Sequence, residues 1–158
     1  MKASTLSELK KELMAMSPAR LSELVLRMAK YKKENKELLT YLLFEAEDEE
    51  AFIKNIQAEI DQLFAEMNKS NTNLAKKSLR KILRFTHKHI KYSGNKETEA
   101  SLLIYFCGKM KTSGIAIRKN TVLTNLYEQQ LKKIYKAVET LHEDLQFDYL
   151  QELKNHEL

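Results

Sequence analysis

Only three glycines and one proline interrupt this chain of 158 residues. Strands need tight turns, and those turns need glycine, proline, asparagine or aspartate at fixed positions, so an all-β or α/β chain of this length uses far more glycine. Apolar residues instead recur every three or four positions along most of the sequence, the period of one face of a helix. The pattern therefore predicts an all-α fold.

Capping signals mark where the helices begin. Thr5 is followed three residues later by Glu8, the spacing of a capping box. Ser17 followed by Pro18 is typical of an N-cap with proline in the first turn. Asp48 precedes Glu49 and Glu50 in the same way and opens a helix over residues 49–67. The apolar positions of that helix form one stripe: Phe52, Ile53, Ile56, Ile60, Leu63, Phe64 and Met67.

Further helices are expected from about Asn35, over residues 74–92 and over residues 97–112, with Gly114 as a left-handed helix end. From Asn120 onward the pattern indicates one long helix that either continues past Glu143 or breaks before a short final helix. We therefore expect six to eight helices in consecutive antiparallel hairpins. They form one domain over residues 1–158, and the pattern leaves open a bundle or a short α-α superhelix.

Cysteine content and hydropathy bear on the compartment. Cys107 is the only cysteine, so no internal disulfide can form, which fits a reducing environment. Residues 1–4 lead directly into a charged helix without the apolar core of a signal peptide. The most apolar stretch, residues 100–108, is far shorter than the roughly 20 residues that cross a bilayer. A cytoplasmic protein without a membrane span is the expectation.

The sequence lacks the common catalytic, metal-binding and cofactor-binding motifs. His87 and His89 are two residues apart, so on one helix they point in different directions and do not converge on a metal ion. Cys107 lies in an apolar run, where burial raises the pKa of a thiol and suppresses its reactivity. Three scattered glycines cannot form a phosphate loop or a dinucleotide fingerprint. The sequence thus offers no catalytic, cofactor-binding or metal-binding residues, and we expect no cofactor.

Charge is distributed very unevenly along the chain, whose net charge is +5. Residues 44–68 carry one basic and eight acidic residues, whereas residues 69–96 carry nine basic residues and no acidic one. On a helix, six of these cations lie three or four residues apart and share one side. We call them the basic strip: Lys77, Arg80, Lys81, Arg84, Lys88 and Lys91.

A basic strip of this kind suits the phosphates of a nucleic acid, an acidic protein partner or an anionic lipid surface. The alternative is that the acidic helix 49–67 and the basic helix 74–92 neutralise each other within one molecule, as ordinary surface charges do.

The opening of the chain resembles a family of uncharacterised bacterial all-helical proteins. The resemblance covers about the first quarter of the sequence and is carried by Leu6-Ser7-Glu8-Leu9-Lys10-Lys11-Glu12-Leu13, by Ser17 and residues 21–30, and by Asn35-Lys36-Glu37-Leu38-Leu39. It implies a helical fold and no particular substrate, cofactor or site.

Three hypotheses about function follow. The leading one is a non-enzymatic helical interaction module that binds a protein partner or itself. The second is nucleic-acid binding through the basic helix 74–92, with the basic strip as contact residues. The third is an enzyme whose site is assembled between helices, which requires a concave pocket lined by converging polar side chains.

Overall fold

A computed structural model describes residues 2–158, and about 80% of the chain is helical. The described residues form eight α-helices and no strand, which confirms the all-α prediction. A π-helical segment, Tyr41–Glu45, and a 3-10 turn, Ile117–Lys119, complete the regular structure. The helices are α1 (Leu6–Met14), α2 (Pro18–Tyr31), α3 (Lys33–Thr40), α4 (Glu49–Ala65), α5 (Thr72–Ser93), α6 (Lys96–Thr112), α7 (Thr121–Val138) and α8 (Glu143–Asn155).

The chain groups into two compact units. The N-terminal unit comprises Met1–Phe44 and the C-terminal unit Glu45–Leu158. Each has its own internal packing, and we describe them separately. The single domain expected over residues 1–158 stays a prediction.

The helices of the N-terminal unit begin at the capping signals in the sequence. The Thr5 hydroxyl accepts from the amide of Glu8, and the Glu8 carboxylate accepts from the amide of Thr5 at 2.7 Å, which closes the capping box. Ser17 caps α2 by accepting from the amide of Arg20. α2 then packs against α3.

α3 begins at Lys33, close to the start near Asn35 that the sequence predicts, after the extended backbone of Lys32. The break between α2 and α3 is therefore a single residue long. The side-chain amide of Asn35 donates to the carbonyl of Met28 at 2.8 Å, near the end of α2.

The helices α1, α2 and α3 contain no buried residue. Their leucines and methionines are placed at helical spacing, as a core-facing stripe would be, yet they stay half-exposed or fully exposed. The amphipathic pattern of these three helices therefore gives an apolar side that is not buried in a core, and the buried residue that the structure describes in the N-terminal unit is Tyr41 in the π-helical segment.

The C-terminal unit is built around α6, which packs against α4, α5 and α7. Side chains over roughly two thirds of the circumference of α6 are buried, among them Leu102, Leu103, Ile104 and Phe106 at 0% exposure. A helix buried over so wide a surface belongs in the middle of a domain. The Phe64 and Phe106 rings pack with their centroids 5.7 Å apart and join α4 to α6.

Two glycines with left-handed backbone follow the ends of helices in the C-terminal unit. α5 ends at Ser93, and Gly94 follows with the left-handed φ of 68°. Gly114, the predicted helix end, has a φ of 79° beyond α6. The last third of the chain breaks into two helices, because the His142 ring nitrogen caps a new helix by accepting from the amide of Asp144.

None of the helices in residues 2–158 combines the length and the apolar composition that crossing a membrane requires.

Candidate interaction surfaces

The basic strip lies on the side of α5 opposite to its buried side chains. At 100° per residue, Lys77, Lys81 and Lys88 form one row along the helix, and Arg80, Arg84 and Lys91 form a second row about 60° away. The buried side of α5 faces the core of the C-terminal unit with Ala75, Leu79, Ile82, Thr86 and Ile90.

Five cations of the basic strip make no ion pair within residues 2–158. These are Lys77, Arg80, Lys81, Arg84 and Lys91, and all five are exposed. The sixth, Lys88, is half-buried, and its ammonium lies 5.9 Å from the ring centroids of both Phe85 and Tyr92. The strip is thus a row of exposed cations with one member folded against aromatic rings.

Two carboxylates of α4 form ion pairs with cations outside the basic strip. Glu50 pairs with Lys54 at 2.6 Å on the same helix, and Asp61 pairs with Lys109 of α6 at 2.7 Å. Burial raises the pKa of Asp61, but hydrogen bonds from Lys109 and Tyr105 outweigh it and hold that pKa below its usual value. Neither ion pair includes a cation of the basic strip.

Glu49 lies at the start of α4 and binds hydroxyl groups of two other segments. The hydroxyls of Ser93 and Thr98 both donate to the same carboxylate oxygen. This contact ties α4 to the end of α5 and the start of α6, so the acidic residue at this position has a structural partner within the fold.

A second helix extends the positive surface beside the basic strip. His87, next to the Arg80 row, has its Nε2 atom 3.0 Å from Oε1 of Gln130 and 3.2 Å from the ammonium of Lys133 on α7. The Gln130 amide nitrogen donates to the carbonyl of Leu126, so its oxygen is the acceptor and His87 Nε2 is the donor. Burial first, and then the Lys133 ammonium, lower the pKa of His87.

Lys133 was missed by the sequence reasoning. It is 46 residues from His87 in the chain, and nothing in the periodicity of α7 indicates which neighbouring helix it approaches. Only the packing of α5 and α7 on α6 shows that their cations share a surface.

The N-terminal unit has a surface of the opposite character, which we call the apolar face. It is formed by Leu6, Leu9 and Leu13 of α1 and by Leu21, Val25 and Met28 of α2, with exposures between 38% and 85%. A groove of about 680 Å³ runs between the two helices along this face. Seven of its eight lining residues are apolar, and Lys10 is the only charged one.

Two clefts in the C-terminal unit bring polar groups together. One, of about 540 Å³, has cationic side chains from Lys111, Arg118 and Lys119 beside Tyr127 and Glu128. The other, of about 350 Å³, lies where α5 and α7 begin. Neither lining includes a histidine, cysteine or serine.

Cys107 faces the interior of the C-terminal unit. Its side chain is fully buried, and burial raises the pKa of the thiol to about 12. No group of three or more histidine, cysteine, aspartate or glutamate side chains within residues 2–158 is arranged to hold a metal ion.

Comparison of the chain with protein-family models, with curated proteins and with solved structures finds no match.

Proposed function

We propose that this chain is a helical interaction module and that two copies associate through the apolar face of the N-terminal unit. The observation that carries the proposal is the exposure of that face: Leu6, Leu9 and Leu13 on α1 are 85%, 48% and 42% exposed. Contiguous exposed apolar surface on a folded protein is typical of an interaction site.

The amount of apolar surface suits an interface between two proteins. Two further large apolar side chains, Met14 of α1 and Tyr31 of α2, are exposed beside the face. Together with the six of the apolar face they offer on the order of several hundred Å². A specific dimer typically covers about 800 Å² on each partner, of which a little more than half is apolar.

The small size of the N-terminal unit favours a second copy as the occupant. α1 has nine residues and α3 has eight, and isolated helices below about 12–15 residues are marginal in water. Units of this size usually need oligomerisation or another staple to be stable. A second copy is always present in equal amount, and it brings an identical apolar face for a symmetric contact.

The test is the mass of the full-length protein in solution, measured by sedimentation equilibrium over a range of concentrations. We expect a monomer–dimer equilibrium rising from 18.5 kDa to twice that mass. The double variant Leu9→Ser with Leu13→Ser removes two side chains from the centre of the face. It should weaken association at least tenfold, since each buried leucine contributes roughly 1.5–3 kcal/mol.

A matched control makes the same chemical change in the other unit. Leu74 and Leu150 are 36% and 41% exposed, so Leu74→Ser with Leu150→Ser removes leucines of similar exposure. This variant should associate like the parent protein, and circular dichroism should show the same helicity for all three proteins. A monomer at every concentration, or equal weakening in both variants, would contradict the proposal.

A further inference from the structure

We propose that the basic strip of α5, extended by Lys133 of α7, binds the phosphate backbone of double-stranded nucleic acid without regard to sequence. This surface belongs to the C-terminal unit and is independent of the self-association proposed above.

The first support is that the cations of the strip are available. Lys77, Arg80, Lys81, Arg84 and Lys91 are exposed and make no ion pair within the described part of the chain. A phosphate that approaches them does not have to displace a carboxylate. Binding then gains from the release of counterions condensed on the nucleic acid.

The second support is the rigid spacing of the cations. Fourteen residues separate Lys77 from Lys91, a rise of about 21 Å along the helix. That length matches about six base-pair steps of a duplex at 3.4 Å each. The strip forms two rows of positive charge, with Lys133 as one further charge beside them. This arrangement suits a backbone with charges at regular intervals.

The surroundings of the strip favour a duplex over a single strand. Proteins that bind single strands stack bases on exposed aromatic rings. The aromatic rings nearest the strip are only partly exposed and pack on one another: His89 lies 4.3 Å from Phe85 and 5.5 Å from Tyr92, measured between ring centroids. They offer no free stacking platform.

The same surroundings argue against a lipid surface. A helix that lies on a membrane inserts its apolar side between the lipids. The apolar side of α5 is already committed to the protein core, where Leu79 is 0% and Ile82 is 1% exposed. The strip can offer only its charges to a partner.

The experiment is fluorescence anisotropy of a labelled mixed-sequence duplex of 20 base pairs, as DNA and as RNA, titrated with the full-length protein. If four or five cations contact phosphates, affinity should fall roughly 150- to 500-fold between about 50 and 200 mM salt. The variant Lys81→Glu with Arg84→Glu should lose at least tenfold in affinity at the lower salt.

A matched variant separates a local surface from the overall charge. Arg27→Glu with Lys30→Glu also replaces one arginine and one lysine, three residues apart on an exposed helix side, and reduces the net charge by the same four units. It should bind the duplex within about twofold of the parent protein. Circular dichroism on both variants checks that helicity is retained.

Three results would overturn the proposal. One is no duplex binding at about 50 mM salt. Another is equal loss in the two charge-reversal variants, which would indicate attraction by net charge alone. The third is binding to vesicles containing about 30% phosphatidylserine but not to the duplex, which would assign the strip to an anionic lipid surface.

Discussion

At the scale of single residues, Cys107 illustrates how the fold decides the chemistry of a side chain. Its thiol is fully buried beside the apolar residues of α6, and its pKa is raised to about 12. Because the thiolate is the reactive form, the native protein should react with a disulfide reagent such as Ellman's at pH 8 far more slowly than a free thiol. In urea the reaction should become fast. A fast reaction in the native protein would contradict this.

His87 should make the free energy of unfolding depend on pH. Its folded-state pKa is lowered, so the folded protein holds fewer protons than the unfolded chain near and below pH 6.5. Above the pKa that His87 has in the unfolded chain, the ring is neutral in both states and does not reduce the free energy of unfolding. As the pH falls below that pKa, the unfolded chain binds the proton more readily, and the free energy of unfolding decreases. Burial, Lys133 and Lys91 disfavour the charged ring, whereas Gln130 and Glu99 favour it.

The variant His87→Gln provides the measurement. Urea unfolding at pH 7.5 and pH 5.0 should show that the parent protein loses more stability than the variant over that interval. Equal losses would mean that His87 keeps its ordinary pKa in the folded protein. The His87 ring can also be followed by nuclear magnetic resonance during duplex binding. Phosphate next to Lys133 should raise the pKa of the ring.

At the scale of elements, α6 should dominate the stability of the C-terminal unit. Leu103 is 0% exposed and lies on the helix that α4, α5 and α7 all contact. Leu103→Ala should therefore lower the free energy of unfolding by about 2–5 kcal/mol, the usual cost of truncating a core leucine. Leu43, which is 62% exposed, provides the comparison. Leu43→Ala should change stability by about 0.5 kcal/mol or less when unfolding is followed with urea.

Helix starts and apolar stripes were predictable because each depends on neighbours in the sequence. Thr5 with Glu8, Ser17 with Pro18, and Asp48 all cap helices where the residues indicated. The hydrogen bond from the Asn35 side chain goes back seven residues to Met28 and was not predicted. Capping rules describe a residue's own helix, and they do not anticipate such a backward contact.

The candidate surfaces were predictable only in part, for the same reason. The residues of the basic strip lie on one helix, so helical geometry alone was enough to group them. Lys133 comes from another helix, and its place beside His87 depends on tertiary packing. The exposure of Leu9 and Leu13 could not be predicted from the sequence either. An amphipathic period predicts an apolar side of a helix but does not indicate whether another element covers it.

At the scale of the whole molecule, the two units should differ in their ability to fold alone. The buried hydrophobic residues lie overwhelmingly in the C-terminal unit; α1, α2 and α3 contribute none, and the π-helical segment contributes Tyr41. A fragment of residues 45–158 should therefore unfold cooperatively on heating, as followed by circular dichroism. A non-cooperative loss of helicity would show that its core depends on residues 1–44.

The two proposed interactions should respond to salt in opposite directions. Like net charges on two N-terminal units repel each other, and salt screens that repulsion while leaving apolar contacts intact. Duplex binding depends on charge attraction and should weaken as salt is added. The fragment of residues 45–158 should keep duplex binding and lose self-association. The two proposals can therefore be tested independently of each other.

The central position of α6 also has a consequence for how the protein is made. A ribosome releases the chain from its N-terminus, so α4 and α5 emerge before α6, but α7 emerges after it. Leu126 and Ile134 of α7 are buried, and α7 packs against α6. Until α7 has been synthesised, that side of α6 is uncovered. The nascent chain therefore carries an apolar helix through a stage at which it is still incompletely covered. We therefore expect the nascent chain to be more prone to aggregation between the synthesis of α6 and α7 than after α7 has packed.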